Sequence, residues 1–154
     1  MMTWLRKYSD EVYSALRFIA GLLFVCHGVQ KYFGVLGGAA QIHTLKGLIA
    51  GTIEMFGGTL IAIGLATSIA AFVASGEMAV AYFWVHAHRS FWPIINKGEL
   101  AIVFCFLFLY IAAGGSGKYS LDALLWGHVP GGQGVVPPVH PIKQNNIEDL
   151  NLPD

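Results

Sequence analysis

The sequence predicts an all-α fold, a bundle of four transmembrane helices followed by a flexible C-terminal tail. Of the 154 residues, 55% are hydrophobic and only 12% are charged, with a mean hydropathy of +0.59. A soluble domain of this size cannot hide so much apolar surface in one core, whereas lipid can solvate the excess. From Leu48 to Val85 there is no Lys or Arg, and at about 1.5 Å per residue this stretch can cross a bilayer twice. The formal net charge is zero, so the basic stripe of a nucleic-acid binder is absent and nucleic acid is not an expected partner.

The first span is expected over residues 12–33, interrupted by Arg17, His27 and Lys31. The segment before it resembles a charged signal-peptide leader. However, Arg17 abuts the apolar run, Asp10 and Glu11 precede it, and no Ala-x-Ala-like site follows, so the segment reads as retained. The stretch without Lys or Arg must fold back, and Gly64-Leu65-Ala66-Thr67-Ser68 is the expected hairpin, with Thr67 or Ser68 capping the next helix. This gives helices over 48–65 and 68–86. A fourth, beginning at about Ile94 or Leu100 and assigned to 97–113, ends at Gly114-Gly115-Ser116-Gly117.

The membrane domain therefore covers residues 1–125. From Trp126 onward a polar, Gly- and Pro-containing tail, including His128 and Pro137-Pro138, is too poor in apolar residues to offset its ordering entropy. Small residues recur four apart at Gly47/Gly51, Gly58/Ala62/Ala66 and Ala71/Ser75/Ala79, a pattern that lets helix backbones approach closely in lipid. Cys26 and Cys105 read as buried thiols, a redox pair only if packing brings them together. Lys and Arg do not orient the chain: Arg6, Lys7, Arg17 and Lys118 fall on the terminal side, and Lys31, Lys46, Arg89 and Lys97 on the other.

Ionisable groups inside a span cost about 2.5–3.5 kcal/mol each on insertion scales, so each is a functional candidate. Up-down threading aims His27, Lys31, Glu54, His86 and Glu99 toward one membrane face. Glu54, His27 and Glu99 are the candidate catalytic residues, and His27, Lys31, Glu54, His86 and Glu99 the candidate ligand-binding set. Carboxylate, imidazole and ammonium together can hold or pass a proton or orient a carbonyl or hydroxyl headgroup. An internal ion pair such as Lys31 with Glu54, setting helix register, is the plainer alternative. His86 and His88 also suit an interfacial belt with Trp84 and Trp92. No metal site is expected, since no HxxxH or ExxH pattern lies within a helix. Glu77, near the middle of the third helix, is expected to pair with Arg17 or, left alone, to serve as a proton relay.

In order and spacing, the sequence resembles the DoxX family of membrane proteins. The stretches that carry the resemblance are Arg17-x9-His27-Gly28-x2-Lys31-x2-Gly34, Glu54-x2-Gly57-Gly58-x-Leu60-x3-Gly64, Gly98-Glu99-Leu100-Ala101 and Gly115-x-Gly117-Lys118-Tyr119-Ser120-Leu121-Asp122, over residues 12–125. The resemblance implies four helices in a bacterial-type plasma (inner) membrane with both termini cytoplasmic. It also implies either a quinone-linked oxidoreductase subunit or a scaffold for redox-defence partners.

Three functions follow as expectations. The first is a membrane subunit that binds a quinone headgroup or handles its protons. Its electrons would come from a partner subunit, because the sequence carries no Cys-x-x-Cys-His, Rossmann or iron–sulfur motif; haem between His27 and His86 is sterically conceivable. The second is a non-catalytic anchor whose tail recruits a redox-related protein. The third is a small transporter using Glu54 and Glu77, which would need a homo-oligomer for its wall.

Overall fold

Helix α1 (Ser9–Phe33) is preceded by a 3-10 turn at Thr3–Tyr8, in a computed structural model that describes residues 3–127. Gly34 closes α1 in the left-handed conformation, its amide donating to the Gln30 carbonyl. Helix α2 (Leu45–Ile63) starts at Thr44, whose hydroxyl accepts from the Gly47 amide. It contains one π-helical turn, Ile53–Gly57. Helix α3 (Thr67–His86) ends in a second π-helical turn, Tyr82–His86. A short helix α4 (Pro93–Asn96), the apolar helix α5 (Glu99–Gly114) and a terminal helix α6 (Leu121–Trp126) complete the described residues, all of them helical or irregular.

By length and composition α1, α2 and α3 can each cross a membrane. Helix α5 has 16 residues, about 24 Å of helix against a hydrocarbon core of about 30 Å. The expected four-helix bundle thus has three full spans and one shorter apolar helix. The reason is local. Lys97, at a left-handed φ of 60°, separates α4 from α5, so the Ile94 start is broken and the helix begins at Glu99.

Packing follows the small residues. Helices α1 and α2 run in backbone contact: a Cβ added to Gly21 would lie 2.6 Å from the Ala62 amide nitrogen and from the Gly58 carbonyl, and one added to Gly28 would overlap the Met55 backbone. The Gly58/Ala62 stripe is therefore used, against a Gly21/Gly28 pair whose spacing of seven falls outside the four-residue pattern. On the other side α3 lies along α5 and buries Ala71, Ala74, Ser75 and Met78. Phe24 joins the two halves: its ring packs against Phe108 at 4.7 Å, and Phe108 stacks on Phe104 at 5.3 Å. Cys26 and Cys105 are free thiols, each half-buried.

The α2–α3 hairpin departs from the sequence expectation in how it is capped. Ala66, left-handed, occupies the cap position and offers no side-chain bond. The caps come instead from distant residues. Asp122 accepts from the Ala66 and Thr67 amides at 2.8 and 3.1 Å, and its own amide donates to the Gly64 carbonyl. Arg17, 2% exposed, donates to the Ile61 and Ala62 carbonyls and, at 2.6 Å, to Tyr119. An anion thus sits on the amides that open α3 and a cation on the carbonyls that end α2, as helix ends require. The expected Arg17–Glu77 pair does not form, because the guanidinium is committed to this turn.

The described residues reach Gly127, so Trp126 closes α6, whereas His128, Pro137-Pro138 and the rest of the expected tail lie outside them. Asp122→Ala should lower thermal stability in detergent by roughly 1–2 kcal/mol, the scale of a lost helix cap. Amide exchange should quicken first at Ala66 and Thr67, and Asp122→Asn should retain part of the loss. Unchanged exchange at those two amides would contradict this account of the hairpin.

Candidate functional site

The Gly28–Met55 contact sets the site. It brings α1 against the π-helical turn of α2, three residues before Lys31 on one helix and one residue after Glu54 on the other. Lys31 Nζ reaches Glu54 Oε1 at 2.6 Å, the one ion pair among the described residues. The pair is lopsided in exposure: the Lys31 side chain is 22% exposed and that of Glu54 3%. Lys31 thus approaches from the membrane face while the carboxyl stays inside the bundle. The wider π turn, a feature often found at functional sites, is what carries Glu54.

Glu54 Oε2 is buried without a hydrogen-bond partner, and so is Glu77 Oε2. The π turn packs on α3, which carries Glu77, and Glu77 lies within electrostatic reach of both Glu54 and Lys31. Glu54 is nine residues from Leu45, where α2 enters, and Glu77 is nine residues from His86, where α3 leaves on the same face. Both carboxyls therefore sit about 13 Å in along helices rising about 1.5 Å per residue. Glu77 therefore joins this group, although its mid-helix position in the sequence points to a place apart from it.

His27, half-buried on α1 one turn before Lys31, lies within electrostatic reach of Glu54. Its ring meets the edge of Phe104 at 6.2 Å, so α5 closes this side. Two of the expected members are elsewhere occupied. His86 Nδ1 lies 3.0 Å from the Asn96 carbonyl, in a loop that Asn96 also ties by donating to the Ser90 carbonyl and accepting from the Gly98 amide. Glu99 is exposed at the first residue of α5 and forms no ion pair among the described residues. His88 is exposed, as are Trp84 and Trp92, with Lys46 Nζ over the Trp84 ring at 4.5 Å. This is the aromatic, cationic edge expected of a membrane interface.

Among the described residues no three His, Cys, Asp or Glu side chains converge as a metal site. The group that does form, Lys31, Glu54, Glu77 and His27, offers one ammonium, one imidazole and two carboxyls with unsatisfied oxygens. It can accept hydrogen bonds from a bound headgroup and can exchange protons with it.

Apolar helices around such an interior polar group define a small helical membrane protein, in contact with the lipid bilayer. The chain belongs to the DoxX family, whose sequence pattern matches residues 12–87. It is similar to an uncharacterized protein of Haemophilus influenzae (strain ATCC 51907 / DSM 11121 / KW20 / Rd), 38% identical over 128 residues, covering 79% of this chain and 96% of the relative. It is also similar to a Bacillus subtilis (strain 168) protein named "Putative oxidoreductase CatD", 26% identical over 116 residues, covering 72% of this chain and 84% of that one. No solved structure matches the chain significantly.

Removing one partner of a buried ion pair costs more than removing both, because it strands a charge. Lys31→Met should therefore destabilise the protein by about 3–5 kcal/mol, and Lys31→Met with Glu54→Met should recover most of the loss. Thermal unfolding in detergent measures both, and a Lys31→Met protein as stable as wild type would show that Glu54 does not depend on the pair.

Proposed function

We propose that this protein is a membrane subunit of a quinone-linked redox system, which binds the quinone headgroup inside the bundle and exchanges its protons. The observation that carries the reading is Glu54: a carboxyl held by Lys31 through one oxygen, with the other buried and unpartnered. A group needed only to set helix register would have both oxygens satisfied, since an orphan acceptor costs roughly 1–3 kcal/mol. A hydroxylated headgroup supplies the missing donor, and the residues present fit it.

The bound carrier supplies two-electron, two-proton chemistry. In this reading Lys31 anchors Glu54, Glu54 Oε2 accepts the headgroup hydroxyl proton, and His27, in reach of Glu54, passes it toward the face where Lys31 is exposed. Phe104 and the aromatic core behind it exclude water from the deeper side. Electrons are exchanged with a partner subunit, because the chain carries no motif for an electron-transfer cofactor of its own. The name of the Bacillus subtilis relative supports a redox setting. The same reading places the protein in a bacterial-type inner membrane with both termini in the cytoplasm, as a subunit or a homo-oligomer.

Mass spectrometry of the full-length protein purified gently with its lipids tests the reading. Quinone should be recovered in near-stoichiometric amount from wild type and from Glu99→Gln, and lost from a folded Glu54→Gln protein. Wild type free of quinone, with a soluble redox protein copurifying, would replace this reading with that of an anchor.

A further inference from the structure

We propose that the connection between α3 and α5, residues 87–98, binds anionic phospholipid: Phe91, Trp92, Ile94 and Ile95 sit among the acyl chains, and Arg89 and Lys97 hold the headgroup phosphate. This is independent of the proposed function, which uses none of these residues.

The loop is apolar outside and polar inside, the reverse of a loop built for water. Its four large apolar side chains are 62–80% exposed, whereas Asn96 is 2% exposed. Asn96 donates to the Ser90 carbonyl and accepts from the Gly98 amide. The amides of Trp92, Ile95, Asn96 and Gly98 all have acceptors within the loop, and Pro93 has no amide hydrogen to satisfy. The Phe91 carbonyl accepts from the Tyr82 hydroxyl at 3.1 Å. Backbone that enters lipid must be satisfied in this way, because nothing there replaces water. The position fits as well. The loop leaves α3 at His86 and enters α5 at Glu99, where these helices meet the membrane surface. Helix α5 falls about 6 Å short of the hydrocarbon core, and an apolar loop at its entry makes up the missing thickness.

Lipid is the occupant because the exposed apolar surface does not stop at the loop. Phe83, Trp84 and Val85 before it and Leu100 and Val103 after it are exposed too, so it runs on from the outer sides of α3 and α5. Charge then selects the lipid. This face exposes the cations Lys46, Arg89 and Lys97, with His43 and His88, against the single carboxylate Glu99. Arg89 and Lys97 form no ion pair among the described residues. The terminal end, by contrast, balances Arg6 and Lys7 with Asp10 and Glu11. Unpaired cations flanking inserted aromatic side chains are what an interfacial segment uses to hold anionic headgroups.

The test uses the full-length chain carrying Trp4→Phe, Trp84→Phe and Trp126→Phe, which leaves Trp92 as the reporter, in nanodiscs of phosphatidylcholine and phosphatidylglycerol. Each lipid in turn carries bromine on its acyl chains and quenches Trp92 by contact, while acrylamide quenches from the water. Bromolipid should quench strongly and acrylamide weakly. Brominated phosphatidylglycerol should act at about fivefold lower mole fraction than brominated phosphatidylcholine, the factor one cation supplies near an anionic surface, and high salt should narrow the ratio. Arg89→Gln with Lys97→Asn should bring the ratio to within about twofold while bromolipid still quenches. Asn is chosen because it tolerates the left-handed conformation of residue 97. Arg6→Gln with Lys7→Gln should leave the ratio unchanged. Trp92 open to acrylamide and untouched by bromolipid would overturn the insertion. Equal quenching by the two lipids would overturn the choice of anionic lipid, and a ratio unmoved by Arg89→Gln with Lys97→Asn would overturn the role of these cations. Shielding from both quenchers would give the patch to protein, a second copy of the chain first, and overturn the proposal.

Discussion

Hydrocarbon supplies no hydrogen bonds, so every polar group carried into it must find a partner within the chain. The fold is arranged around that constraint at two levels. At the terminal end, Arg17 and Asp122 close the α2–α3 hairpin by serving backbone groups that lack helical partners. Nearer the opposite face, Lys31 serves Glu54 through one oxygen only. The two ends use the same chemistry to different degrees of completion, and the incomplete one is where a ligand has something to supply.

Close helix approach makes both arrangements possible. Gly21 and Gly28 let α1 lie on α2 at backbone distance, and neither position has room for a Cβ. A bulkier face would push Lys31 away from Glu54 and lift Arg17 off the Ile61 and Ala62 carbonyls. The Phe24–Phe104–Phe108 stack then holds α5 across the gap that short α5 alone could not fix against lipid. Local sequence therefore acts mostly through distance: a missing side chain at Gly28 determines what the side chain at Lys31 can reach.

Much of the fold is legible in the sequence because hydropathy, glycine and span length act locally. The run from Leu48 to Val85 without Lys or Arg, the Gly64 turn and the Gly115 stop each mark a boundary within a few residues of the observed one. What local pattern does not encode is helix rotation and long-range capping. Arg17 reads as a cation seeking a carboxylate, yet its partners are carbonyls, which every residue carries and no sequence pattern marks. The cap of α3 reads as Thr67 or Ser68, yet it comes from Asp122, 55 residues from Thr67.

The same division runs through the site. Lys31 and Glu54 are legible together because both approach the same membrane face and the long lysine side chain reaches inward to the carboxyl. His86 and Glu99 lie toward the same face, at the ends of their helices, but the Asn96 loop holds His86 and Glu99 is exposed. Glu77 was legible in principle: measured from the face where α2 enters and α3 leaves, it is as deep as Glu54. Two carboxyls with buried oxygens at one depth, only one of them paired with an ammonium, are an unfavourable way to build a merely structural contact in lipid, since an apolar pair would pack there at lower cost. Their presence is most simply explained by something that arrives carrying donors.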